Sequence, residues 1–209
     1  MDRLPAEAPD SAPVAAESAA DAVATRRRLI GAAGLAGLAS AATALVSQTA
    51  SASTNLPTEE DTVLLTAAMQ LELTARDLYR HRLDSADDGD LGPVVSVMAE
   101  NHEAYAQAIA GHIGVSADTR NDDVYESLEA AFGGSADEFL AAARGLEETA
   151  VATHTALLEE YESDDAVVLT ASILVIEARH STVLADVMNL PLEERLVNSG
   201  EALSLGGAA

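Results

Sequence analysis

Between residues 59 and 189, apolar side chains recur at three- and four-residue spacing in four long segments, and no segment alternates with the two-residue period of a strand. The first, over 59–83, puts Leu65, Ala68, Met69, Ala75 and Tyr79 on one stripe. It opens on Thr58-Glu59-Glu60-Asp61, an N-cap followed by acids that suit the positive end of a helix dipole. An acidic, Gly-containing loop over 84–92 ends it, and Pro93 suits the first turn of a second helix reaching 112. That helix carries Val94, Val95, Met98, Tyr105, Ile109 and Ile113 inward, with Gly111 and Gly114 marking its end. Ser135-Ala136-Asp137-Glu138 is a capping box for a third helix to about 162, with Phe139, Leu140, Ala143, Ala150, Leu157 and Tyr161 on its stripe. Asp164-Asp165 opens a fourth, which ends near 189 ahead of Pro191.

The lengths of the connections then set the topology. A short first loop makes helices one and two antiparallel neighbours. Residues 115–135 are too long for a hairpin turn and hold a short helical piece over 124–132 before Gly133-Gly134, which makes this stretch a crossover. The pattern predicts an all-α fold: a four-helix bundle over 59–190 with a long crossover between helices 2 and 3, and a loosely packed tail over 191–209.

Six inward positions break the apolar stripes: Glu72, His102, Glu147, His154, Glu177 and His180. A buried carboxylate without a partner costs several kcal/mol, so each must be neutral, hydrogen-bonded or coordinated. Glu177 and His180 form a Glu-x-x-His step, three residues apart and one above the other on a helix face. That is how a helix offers two ligands to one metal pair in a bundle core. Glu72 to His102 and Glu147 to Glu177 both span 30 residues, so the two hairpins carry these groups at matching depths. Glu100 and Glu103 fall beside the second stripe, Glu103 projecting most towards water, and Glu148 points outward from the third. His154 is two turns, about 10 Å, along the helix from Glu147 and reads as outside that residue's site. His81 and His112 lie near helix ends and read as structural. Tyr79 and Tyr105 read as packed rings with hydrogen-bonded hydroxyls. The Asp-rich loops at 84–90 and 121–123 lack the ligand order of a calcium loop and read as solvated surface. A second reading keeps the six groups as acids paired with histidines in a polar layer that fixes the bundle's register, with no metal at all.

Composition narrows the setting. There is no Cys, which removes thiolate metal sites, disulfides and lipid attachment through Cys. There is no Lys either, and 35 acids face 11 Arg for a net charge of −24. Residues 1–52 hold 5 of the acids and 4 of the Arg, leaving 30 and 7 beyond them. Such a surface repels nucleic acid and anionic lipid, attracts cations, and is most at ease where salt screens its self-repulsion. Residues 1–24 are a low-complexity extension that reads as disordered. In 25–52, Thr25-Arg26-Arg27-Arg28-Leu29-Ile30 precedes a Gly- and Ala-rich apolar run and Ala50-Ser51-Ala52, the layout of a signal peptide. The Arg pair resembles a twin-arginine signal, which implies export across the cytoplasmic membrane, cleavage after Ala52 and a linker over 53–58. The alternative is that 29–46 stays as a membrane anchor through an uncleaved signal.

From 61 to about 189 the chain resembles the ferritin-like superfamily, and within it the exported, often twin-arginine-dependent ferritin-like proteins of prokaryotes. The residues that carry this are Ala67-Ala68-Met69-Gln70-Leu71-Glu72 with Tyr79 seven on, the crossover, and Glu177-Ala178-Arg179-His180. The resemblance implies a Glu ligand on the first and third helices and Glu-x-x-His on the second and fourth. Glu72, Glu147, Glu177 and His180 match it. The second helix departs, with His102-Glu103-Ala104-Tyr105 putting His102 at the bridging carboxylate and Tyr105 at the histidine. A neutral imidazole there lowers the site's negative charge and its affinity for a metal pair. A single-metal site, a rearranged pair using Glu103 and an empty site all remain open. The resemblance thus implies iron or manganese on Glu72, His102, Glu147, Glu177 and His180 and metal-dependent oxidoreductase chemistry with oxygen or peroxide. The alternative is a non-catalytic extracytoplasmic bundle with no cofactor, acting in stability or interaction. Nothing in the chain marks the shell contacts of a true ferritin, so a solitary domain or small homo-oligomer is expected.

Overall fold

The computed structural model of the chain describes residues 57–86 and 88–204. The expected N-terminal extension, the signal and most of the linker lie outside those residues. Among the described residues all regular structure is helical: α1 (Glu59–Ser85), a 3-10 turn (Gly89–Leu91), α2 (Gly92–Ile113), α3 (Asp122–Phe132), α4 (Ala136–Glu160), α5 (Asp164–Val187) and a single turn, α6 (Leu192–Arg195). The caps read from sequence are present. Thr58 and Ser135 form capping boxes with Asp61 and Glu138, and Gly114, at φ +72, closes α2 in the left-handed conformation that glycine adopts without steric cost.

α1 packs on α2 and α4 on α5, while α1 meets α4 and α2 meets α5 across the bundle. Two buried charges show that α1 and α4 run antiparallel. At one end, Asp61 on the first turn of α1 accepts from the backbone N–H of Glu162 at 2.9 Å and Ser163 at 3.1 Å, between α4 and α5. At the other, Arg82 near the end of α1 pairs with Asp88 and donates to the carbonyls of Phe132 at 3.2 Å and Gly134 at 2.7 Å, just ahead of α4. The crossover therefore has to climb the whole bundle. It does so along α1, where Asn121, the N-cap of α3, exchanges hydrogen bonds with Thr74 in both directions. This is the crossover bundle that the loop lengths predict.

The apolar core comes in two parts. One, near the Asp61 end, is built around Leu65, Met69, Tyr105, Ile109, Leu157 and Ile173. The other, near the Arg82 end, is built around Leu78, Tyr79, Met98, Phe132, Phe139 and Leu184. The six polar positions lie between them.

The C-terminal segment departs from expectation. Residues 196–204 do not hang loosely but lie along α4, where Asn198 Nδ2 donates to Glu148 O at 3.1 Å and the Leu203 N–H donates to Thr153 Oγ1 at 2.9 Å. Ser199 Oγ donates to the Glu148 carboxylate at 2.9 Å. Glu148, expected outward, is thereby buried and paired with Arg144. Gly200 allows the approach, because a Cβ there would stand 2.3 Å from the Glu148 carbonyl.

Asp61→Ala would strip a buried acceptor from backbone N–H groups of Thr58, Glu162 and Ser163 together. We expect a loss of about 3 kcal/mol in urea unfolding of the chain, with Asp61→Asn recovering part of it. A loss under about 0.5 kcal/mol would show that this end is not fixed by the carboxylate.

Candidate metal centre

Each of the four long helices contributes to the waist between the two apolar cores: Glu72 from α1, His102 from α2, Glu147 and His154 from α4, Glu177 and His180 from α5. None of the six side chains is more than 1 % exposed. Their ligand atoms fall into two triads, His102 with Glu147 and His180, and Glu72 with His154 and Glu177, each set lying within 4.8 Å of one another.

His102 joins the triads. Its Nδ1 faces Glu72 Oε2 at 2.7 Å and its Nε2 faces Glu147 Oε1 at 3.2 Å, while its ring stacks on Tyr79 and meets Tyr105 edge-on. Burial alone would strip its proton, but the Glu147 and Glu72 carboxylates outweigh that and hold the imidazolium well above the usual histidine range. Glu147 shows the mirror effect. Burial would raise it, yet the charges of His180 and His102 and their hydrogen bonds hold it far below the carboxylate range. Tyr79 adds another donor, its hydroxyl 2.5 Å from Glu147 Oε1, and burial with the Glu147 charge keeps that phenol protonated. His180 Nδ1 reaches Glu147 Oε2 at 3.2 Å and its Nε2 meets Asn101 Nδ2 at 3.0 Å. Both nitrogens of both rings in this triad are thus engaged.

The second triad is different. His154 Nδ1 pairs with Glu177 Oε2 at 2.7 Å, but its Nε2 stops 3.5 Å from Glu72 Oε1. Among the described residues, six buried side-chain polar atoms lack a hydrogen-bond partner, and three of them are His154 Nε2, Glu72 Oε1 and Glu177 Oε1. Burial first, then the charges of Glu72 and Glu147, push the Glu177 carboxyl up to about 8 against the pull of His154. Burial would also raise Glu72, but His102, His154 and a hydrogen bond from the Glu177 carboxyl bring it below its ordinary value, and His154 is raised by Glu177 and Glu72 despite its burial. Protons on Glu177 and His154 therefore balance this half of the waist when no cation does.

The structure thus gathers Glu72, His102, Glu147, Glu177 and His180 at one centre and adds two residues to them. His154 is there although it lies two turns from Glu147, because it faces Glu72 and Glu177 rather than Glu147. Its place on the inward stripe was the available signal. Asn101 is buried against His180 and was not anticipated, since an Asn beside a striped His carries no distinctive pattern. Glu103 plays no part: it pairs outside with Arg76 at 2.9 Å and Arg80 at 3.2 Å.

These shifts give a pH dependence for the metal-free protein. Glu147 and Glu72, held low, stabilise above their unfolded value near 4.5 and lose that as pH falls through the folded one. His102 and His154, held high, stabilise below their unfolded value near 6.5 and lose that as pH rises. Glu177, raised from 4.5 to about 8, costs stability progressively between those values. With chelator present, the melting temperature should peak between about pH 4.5 and 6.5 and fall on both sides; a peak above pH 8 would show that the histidines are not held as cations.

A model of the ferritin-like domain matches residues 60–190. No curated protein and no solved structure matches the chain significantly. The matched span takes in α1 to α5 with all six waist residues, and the chain belongs to the ferritin-like domain family.

Proposed function

We propose that this chain is an exported protein that binds iron or manganese at the waist of its bundle and there carries out oxidation chemistry with oxygen or peroxide. The observation that carries the reading is the convergence of Glu72, His154 and Glu177 from α1, α4 and α5 within 4.8 Å, where, beyond the contacts these three residues make with one another, His154 Nε2, Glu72 Oε1 and Glu177 Oε1 have no hydrogen-bond partner among the described residues. Buried, unsatisfied carboxylate and imidazole atoms are costly, and a divalent cation relieves all three at once. Carboxylates with imidazole suit iron and manganese better than the soft ligands that a Cys-free chain lacks. The bound metal would supply the redox step. The protein's part is to hold the donors still, keep bulk water out with an apolar core on each side, and retain protons on Tyr79 and His102 next to the carboxylates.

The second reading, a non-catalytic bundle with a structural polar core, is favoured by the half of the waist in which His102, Glu147, His180, Asn101 and Tyr79 satisfy one another. Metal content by mass spectrometry decides between them. Purified without chelator, the full chain should carry a stoichiometric ion that Glu177→Ala reduces to the level of weak surface binding. Affinity should rise from pH 6 towards pH 8 as the ligands lose protons. A chain that stays metal-free after exposure to iron, manganese and zinc in turn would leave the structural bundle.

Export rests on the sequence of residues 25–52. Arg26→Lys with Arg27→Lys should leave the unprocessed chain inside the cell, read as precursor mass in fractionated cells. Processing unchanged by that double substitution would remove the twin-arginine route.

A further inference from the structure

We propose that the centre takes a single divalent ion, held by Glu72, His154 and Glu177, and that His102 fills the place of a second. This rests on the metal-binding reading above and specifies its ligands and stoichiometry.

The two triads are similar in size but not in what their atoms have left to give. In the His102 triad, both His102 nitrogens are spent on the carboxylates of Glu72 and Glu147, and both His180 nitrogens on Glu147 and Asn101. Both oxygens of Glu147 are taken as well, one by Tyr79 and His102 and the other by His180. A cation entering here would have to break this set of hydrogen bonds in a dry core. In the other triad the ligand atoms of Glu72, His154 and Glu177 lie within 4.8 Å of one another, and among the described residues no hydrogen bond reaches them from outside the triad except that of His102 to Glu72 Oε2. Glu72 Oε1 and His154 Nε2 stand 3.5 Å apart without a hydrogen bond, and the Glu177 carboxyl, bonded to both neighbours, completes the set. Two donors about 2.1 Å from one tetrahedral metal are about 3.4 Å apart, so that gap already has the width of an ion's coordination edge. The remaining atoms of the triad hold the donors in aim, Glu72 Oε2 on His102 and Glu177 Oε2 on His154 Nδ1.

His154, not the His180 of the Glu-x-x-His step, supplies the nitrogen.

The test is titration of cobalt(II) into the chelator-washed full chain, with bound ion counted by mass spectrometry, beside His154→Gln and His180→Gln. The wild type should saturate at one ion per chain, His154→Gln should lose more than about tenfold in affinity, and His180→Gln should stay within about threefold. Because either variant can misfold, copper(II) is also bound to the wild type, where its paramagnetic resonance should show nitrogen coupling from a single imidazole. Two ions per chain, coupling from two imidazoles, loss of the ion in a folded His180→Gln, or its retention in His154→Gln would each overturn the assignment while metal binding stands. A wild-type chain that takes up no stoichiometric ion of any metal tested would overturn both.

Discussion

Three carboxylates sit in the middle of this bundle with no access to water, and the rest of the interior answers to them. Each would cost several kcal/mol if left ionised and alone. Three imidazoles, a phenol and an amide close around them, drawn from all four long helices. Since apolar cores lie on both sides, solvent cannot relieve a misplaced group. The helices have to meet at the one depth at which donors and acceptors match, which makes the waist a register device whatever else it does.

That register is clamped from both ends. Asp61 and Arg82 are buried charges at opposite ends of α1, each tied to backbone groups at a junction of the chain. They fix α1 against both ends of α4. The waist donors of α1 and α4 are thus positioned by contacts more than two turns away, the support that a site made of side chains from different helices needs. The acidic exterior contributes differently, through long-range repulsion that salt screens, and has no part in aiming the donors.

The replacement of a carboxylate by His102 on the second helix changes the character of the waist more than its location. Where the family pattern implies an anion between two cations, this chain has a cation between two anions, and that half closes on itself by hydrogen bonds. The other half, Glu72, His154 and Glu177, is balanced by protons held on Glu177 and His154. The residue that completes that half, His154, lies outside the pattern of one Glu and Glu-x-x-His per helix pair.

The sequence by itself determined the helices, their caps and the crossover, because these depend on local periodicity and on loop length. It also marked Glu72, His102, Glu147, Glu177 and His180 as one inward layer, since a polar group on an apolar stripe is visible without knowing its neighbours. What it did not determine is which of these groups touch. His154 lies about 10 Å along α4 from Glu147, a distance that separates two residues on one helix and says nothing about residues on the antiparallel helices beside it. Glu148 and the C-terminal segment were misjudged for a related reason: a carboxylate at the edge of a stripe is outward until a distant strap covers it, and that strap depends on Gly200 lying against α4. Helical spacing fixes which side of a helix a residue is on, but partners are chosen by the packing of helices against one another, and the packing gave His154 to Glu72 and Glu177.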